Sequence, residues 1–122
     1  MKIAVVGSRN ITISDLRKYL SDCDEIVSGG ACGVDTCAAK YAEENGIKLT
    51  VFLPQYNKYG RAAPIMRNKE IVDYADRVIA FWDGRSRGTL SVIKYAEQTH
   101  TPCEVVFISN QESGDQIELP HK

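Results

Sequence analysis

The chain has 122 residues, of which 43% are hydrophobic and 25% are charged, and its formal net charge at pH 7 is −1. This composition is typical of one soluble globular domain, and the lack of a basic excess argues against a protein that mainly coats nucleic acid. The N-terminal apolar run covers only residues 3–6, so we expect neither a signal peptide nor a membrane partner. The four cysteines lack metal-ligand spacing, which predicts reduced thiols in a cytoplasmic protein with no metal site and no cofactor.

Short apolar runs alternate with segments of helical spacing along the whole chain. In chain order the pattern predicts a strand at 2–7, a helix at 14–20, a strand at 25–30, a helix at 34–45, a strand at 47–54, a helix at 64–75, a strand at 76–82, a helix at 89–98 and a strand at 103–108. Ser14 is the expected N-cap of the first helix, Gly46 ends the second and Pro64 opens the third. Residues 55–62 show no period and are predicted as a loop, and residues 109–122 form a polar tail.

This alternation predicts an α/β fold with about five mainly parallel strands and helices on both faces of the sheet. Right-handed crossovers then favour one doubly wound, Rossmann-like domain over residues 1–108, with the strand order 3-2-1-4-5. In such a sheet the loops that follow the strands meet at the carboxyl edge, where ligands bind.

The four loops at this edge are rich in glycine and arginine. The loops are "GSRN" (7–10), "SGGACGVD" (28–35), "PQYNKYGRAAP" (54–64) and "DGRSRGT" (83–89). Bare backbone amides, the positive ends of helices and guanidinium donors together predict an anionic ligand. The arginines that fall in these loops or at helix starts are Arg9, Arg61, Arg67, Arg85 and Arg87.

Particular roles are predicted for the glycines. Gly88 and Thr89 form the best phosphate cradle, because both amides and the Thr89 hydroxyl are expected to point outward. In "SGGACGVD", Gly29 and Gly30 are expected to admit the ligand, and Gly33 to let the following helix pack on the sheet. Asp35 either stabilises the start of that helix or contacts a ribose or base, and the sequence leaves both interpretations open.

Four stretches carry a resemblance to a known superfamily. They are "VGSR" (6–9), "IVSGGACGVDTCAAKYAEENGI" (26–47), "VFLPQYNKYGRAAPIMRN" (51–68) and "ADRVIAFWDGRSRGT" (75–89). In content and order they resemble the SLOG superfamily of Rossmann-like nucleotide-binding proteins, and most closely its YspA-like branch. The resemblance implies a binding or sensing module with a nucleotide or nucleotide-derived ligand as its partner. Since superfamily relatives commonly dimerise, a homodimer is also expected.

The loop residues and the resemblance together define a predicted ligand site. Its members are Gly7, Ser8, Arg9, Ser28, Gly29, Gly30, Asp35, Arg67, Asn68, Ser86, Gly88 and Thr89.

Two relatives of the superfamily supply alternative functions. The LOG-type phosphoribohydrolases cleave nucleotide N-glycosidic bonds with a PGGxGTxxE turn, but here Ser91 and Val92 stand where the acid is expected. An enzyme of this type would need another acid, and the candidates are Asp35, Glu70 and Asp83. The DNA-processing protein A family binds single-stranded DNA, but its long flanking regions are missing from this sequence.

Overall fold

Five parallel strands form one sheet in a computed structural model that describes residues 1–8, 11–13, 15–30 and 33–108. The strand order is β3-β2-β1-β4-β5, and every neighbouring pair is parallel. The predicted α/β fold and strand order are therefore confirmed. The strands are β1 (Lys2–Gly7), β2 (Glu25–Ser28), β3 (Lys48–Val51), β4 (Arg77–Trp82) and β5 (Cys103–Phe107).

Four α-helices connect these strands within the described residues. They are α1 (Val34–Asn45), α2 (Tyr56–Tyr59), α3 (Ala63–Tyr74) and α4 (Arg87–Gln98), with a 3₁₀ turn at Gly60–Ala62 between α2 and α3. Pro64 lies in the first turn of α3, and Gly46 ends α1 in the left-handed conformation, as the sequence predicts. None of the helices in the described ranges has the length and apolar character needed to cross a membrane.

The sheet is buried on both faces, which gives the domain two hydrophobic cores. Successive side chains of a strand point to opposite faces, so Ile3 and Val5 of β1 pack in the core beneath α1. Ala4 and Val6 pack in the other core, beneath α3 and α4. This two-sided burial explains why the strands read as continuous apolar runs in the sequence.

The end of β1 lies unusually close to α1. A Cβ atom built on Gly7 would lie 2.5 Å from Cγ2 of the buried Val34 and 3.0 Å from the carbonyl oxygen of Phe81. Gly7 therefore allows a close approach of β1 to α1 that the sequence did not predict, and the packing role predicted for Gly33 stays a prediction. Gly33 itself has a φ of 72° at the residue before α1, a conformation that glycine adopts without strain.

The prediction of a helix at 14–20 is wrong for the described part of that segment. Residues 17–19 form a turn, in which the amides of Tyr19 and Leu20 donate to the Leu16 carbonyl oxygen. Leu16, Tyr19 and Leu20 are still buried in the core beneath α1. Because so short a helix gains little from its own hydrogen bonds, burial of these side chains decides the conformation. The predicted N-cap, Ser14, lies outside the described residues.

The loop predicted at 55–62 is also wrong, because α2 and the 3₁₀ turn occupy it. No residue of either element is buried, so the sequence there has no apolar period that could reveal a helix. Strands β2 and β3 end earlier than predicted, since their ladder stops at the pair Ser28 and Val51. The predicted tail at 109–122 lies outside the described residues.

Candidate functional site

A cavity of about 360 Å³ opens at the carboxyl edge, between the ends of β1 and β4 and the helices α3 and α4. Its volume lies near the lower end of the range of small-molecule sites, about 300–1,000 Å³. Nine of the twelve predicted site residues line it. The full lining consists of Val6, Gly7, Ser8, Gly29, Asp35, Pro64, Arg67, Asn68, Ile71, Asp83, Ser86, Gly88, Thr89 and Val92.

Two of the predicted site residues serve a turn instead of lining the cavity. The hydroxyl of Ser28, which is buried, accepts a hydrogen bond from the Gly30 amide at 3.2 Å. Gly30 has a φ of 73°, and a Cβ there would lie 2.9 Å from the Leu53 side chain. The turn itself thus explains why glycine stands at position 30. The third predicted residue that does not line the cavity, Arg9, lies outside the described residues.

The bare backbone at Gly29 receives a side chain of the protein itself. A Cβ on Gly29 would lie 2.7 Å from Nη1 of Arg67, which donates a hydrogen bond of 2.7 Å to the Gly29 carbonyl oxygen. Nε of Arg67 donates to Oδ1 of Asn68 at 2.9 Å. The close approach that the sequence assigned to a ligand at Gly29 is therefore made by the Arg67 guanidinium, which braces the loop after β2 against α3.

Asn68 continues this brace to α4. Its Nδ2 donates to Oγ of Ser91 at 3.2 Å and, over a longer distance of 3.4 Å, to the Gly88 carbonyl oxygen. Ser91 in turn donates to the same carbonyl at 3.0 Å. Arg67 and Asn68 thus fix three elements of the cavity relative to one another: the loop after β2, α3 and the first turn of α4.

The start of α4 is capped by its own sequence. Oγ of Ser86 accepts from the Thr89 amide at 3.3 Å and donates to the Thr89 hydroxyl at 3.2 Å. The prediction that the Thr89 amide points outward is therefore wrong, because that amide is already bonded. The amides of Arg87 and Gly88 meet no acceptor among the described residues, so they are the donors that this helix start presents.

Asp83 lies directly after β4 and lines the cavity, although the predicted site did not include it. Its Oδ1 accepts hydrogen bonds of 2.8 Å from the amides of both Arg85 and Ser86. Partial burial of the Asp83 carboxyl opposes ionisation, but these two amides and the nearby Ser8 hydroxyl outweigh it and lower its pKa. The signal that could have found this role is the Asp-Gly pair after a strand, since aspartate at such a position commonly bonds the amides two and three residues ahead.

Of the four loop arginines within the described residues, one lines the cavity. Arg67 lines the cavity, whereas the exposed side chains of Arg61, Arg85 and Arg87 do not. Two carboxylates, those of Asp35 and Asp83, also line it, and Asp35 lies in the first turn of α1. The charged side chains that line the cavity therefore do not favour an anion by themselves. An anionic ligand would have to be attracted by the backbone donors of α4.

Comparisons with known proteins add no assignment to this geometry. No family model, curated protein or solved structure matches the chain. Membership of the SLOG superfamily, the cytoplasmic location and the homodimer therefore stay predictions, and the site is interpreted from its own residues.

Proposed function

We propose that the chain binds a nucleotide or a nucleotide-derived phosphate ligand in the cavity at the carboxyl edge. The observation that carries this proposal is Gly88. It lies in the first turn of α4, it has no positive φ, and a Cβ there would meet nothing within 4 Å. Glycine in a helix costs about 0.5–1 kcal/mol relative to alanine. Since the fold has no use for a glycine at this position, its bare backbone is best explained by a ligand that comes close to it.

A phosphate group fits the donors that Gly88 exposes. The first-turn amides of Arg87 and Gly88 lie at the positive end of a helix of 12 residues, and no acidic residue lies in its first turn. Such an arrangement binds phosphate groups in many proteins, because the amides and the helix dipole act together. In the sequence Arg85 and Arg87 stand on either side of the N-cap Ser86, and both side chains are exposed.

Apolar side chains also line the cavity, and they suit the apolar part of a nucleotide. Pro64 and Ile71 from α3, Val92 from α4 and Val6 from β1 all line it. A ligand with a flat ring and a phosphate would contact both these apolar side chains and the amides of α4.

Calorimetric titration tests the proposal. The folded protein is titrated with nucleoside mono-, di- and triphosphates, ADP-ribose and dinucleotides, and with orthophosphate as the comparison. We expect at least one nucleotide to bind more tightly than orthophosphate, because it also contacts the apolar side chains. Mass spectrometry of small molecules released from the denatured, freshly purified protein then identifies the natural ligand. If no nucleotide binds at millimolar concentration, the proposal is wrong.

A further inference from the structure

The Asp83 carboxylate has one oxygen fixed by the protein and one that is not. Oδ1 holds the amides of Arg85 and Ser86, whereas Oδ2 accepts no hydrogen bond within the described ranges. The same interactions that fix Oδ1 favour the ionised form of the carboxyl. An oriented, charged acceptor therefore faces the cavity beside the start of α4.

The Ser8 hydroxyl lies near enough to this carboxylate to help lower its pKa. Ser8 is 2% exposed and lines the cavity, and its Oγ makes no hydrogen bond of good geometry in the described part of the chain. The Ser8 amide donates to the carbonyl oxygen of Phe81, which places the residue next to the end of β4. A buried hydroxyl without a well-formed hydrogen bond is costly, so its presence at a cavity wall indicates a group that bonds it when the cavity is filled.

The phosphate proposed for the Arg87 and Gly88 amides is not the group that bonds Oδ2 of Asp83 and the Ser8 hydroxyl. Placing a second negative charge against an ionised carboxylate is unfavourable, particularly where burial reduces screening by water. A hydroxyl donor suits the site better, since it can give its hydrogen to Oδ2 of Asp83 and exchange another hydrogen bond with Ser8.

We propose that Asp83 and Ser8 bind the ribose hydroxyls of the ligand, so that the cavity selects ribonucleotides over 2′-deoxyribonucleotides. This inference rests on the proposed function, and it adds the class of sugar and the residues that recognise it. A 2′-deoxyribose lacks one of the two neighbouring hydroxyls and leaves an acceptor of the subsite unsatisfied. Discrimination of this kind is strong when a buried polar group loses its partner.

The test compares sugars within one protein and then across variants. Calorimetry measures the affinity of the native chain for the four ribonucleoside 5′-monophosphates and for their 2′-deoxy counterparts. Because a hydrogen bond to a charged group is involved, we expect the best ribonucleotide to bind about tenfold or more tightly than its deoxy form. Asp83→Asn keeps an oxygen that can accept the two backbone amides, and it should reduce this ratio to less than about threefold. Glu97→Gln, which removes the same charge from an exposed position at the far end of α4, should leave the ratio unchanged.

Ser8→Ala provides a second variant that does not depend on the Asp83 turn. The Ser8 hydroxyl makes no hydrogen bond of good geometry within the described residues, so the variant should fold. Its preference for ribonucleotides over deoxyribonucleotides should decrease. If the native chain binds ribo- and deoxyribonucleotides equally, or if both variants keep the native ratio, the inference is wrong while the proposed function stands. If no nucleotide of either kind binds, both fail together.

Discussion

The substitution Gly88→Ala separates the requirements of the fold from those of the ligand. A methyl group at this position would meet no atom within 4 Å, and the backbone there is already helical. The fold should therefore accept alanine and gain from it, because alanine loses less conformational entropy than glycine when a helix forms. We expect the free energy of unfolding to rise by about 0.5–1 kcal/mol, which for a domain of this size raises Tm by about 2–5 °C.

The same methyl group should weaken ligand binding. If a phosphate oxygen accepts hydrogen bonds from the amides of Arg87 and Gly88, a Cβ at position 88 lies in its path and lengthens at least one of them. A hydrogen bond to a charged group contributes about 1.5–3 kcal/mol, and its loss raises Kd about 10- to 150-fold. The variant should thus be more stable and bind more weakly, two changes that no general loss of structure produces.

Thermal unfolding without ligand and calorimetry with the best nucleotide measure the two effects on one protein sample. Lys94→Ala, an exposed substitution later in α4, is the control for changes of helix propensity and should leave Kd unchanged. A Gly88→Ala protein with raised Tm and native Kd would refute the reasoning, because the ligand would then not approach this backbone.

Three further predictions concern stability, pH and chemistry. Gly7→Ala should destabilise the domain by about 1–3 kcal/mol in urea denaturation, since its methyl group would overlap the buried Val34; an unchanged midpoint would contradict the close packing of α1. Hydrogen bonds from the side chains of Tyr74 and Thr50 lower the pKa of Glu25. These hydrogen bonds therefore stabilise the fold above the ordinary pKa of a glutamate carboxyl, and the stabilisation is lost as pH falls through the lowered pKa of Glu25. A Glu25→Gln protein whose free energy of unfolding falls as much in acid as that of the native protein would contradict this. Chromatography of nucleoside monophosphates incubated with the protein should show no release of free base near 1 s⁻¹, because Ser91 offers a neutral hydroxyl bonded to a helix carbonyl. Turnover at that rate would overturn this last expectation.

The fold could be predicted because it depends on patterns that each strand and helix carries locally. A strand that is apolar on both faces, such as residues 2–7, is stable only within a sheet that is buried on both sides. The alternation of such strands with helices leaves few topologies open. The segment at 14–20 could not be predicted, since a turn and a helix would bury Leu16 and Leu20 equally well. The helix at Tyr56–Tyr59 was hidden because none of its side chains is buried.

The site could be predicted only as far as its place on the sheet. Loop position brought nine predicted residues to the cavity, because parallel strands end at one edge. What each residue does depends on distant partners that spacing does not reveal. Arg67 enters the space left by Gly29, which lies 38 positions earlier. Asp83, by contrast, binds the amides two and three residues ahead, a local pattern that the Asp-Gly pair could have indicated.

These contacts change how the arginine-rich loops are interpreted, because an arginine predicted to bind an anion instead bonds the protein. Arg67 is the one of the described loop arginines that lines the cavity. It donates two hydrogen bonds within the protein, to Gly29 and to Asn68. The proposed ligand would therefore be recognised less by net charge than by three kinds of group that line the cavity: the backbone donors of α4, the apolar side chains, and the Asp83 carboxylate after β4. A ribonucleotide, which carries an anion and hydroxyl donors at separate points, would match these groups. An isolated phosphate satisfies the donors but gains nothing from the acceptor or the apolar side chains, so its affinity should stay far below that of a ribonucleotide.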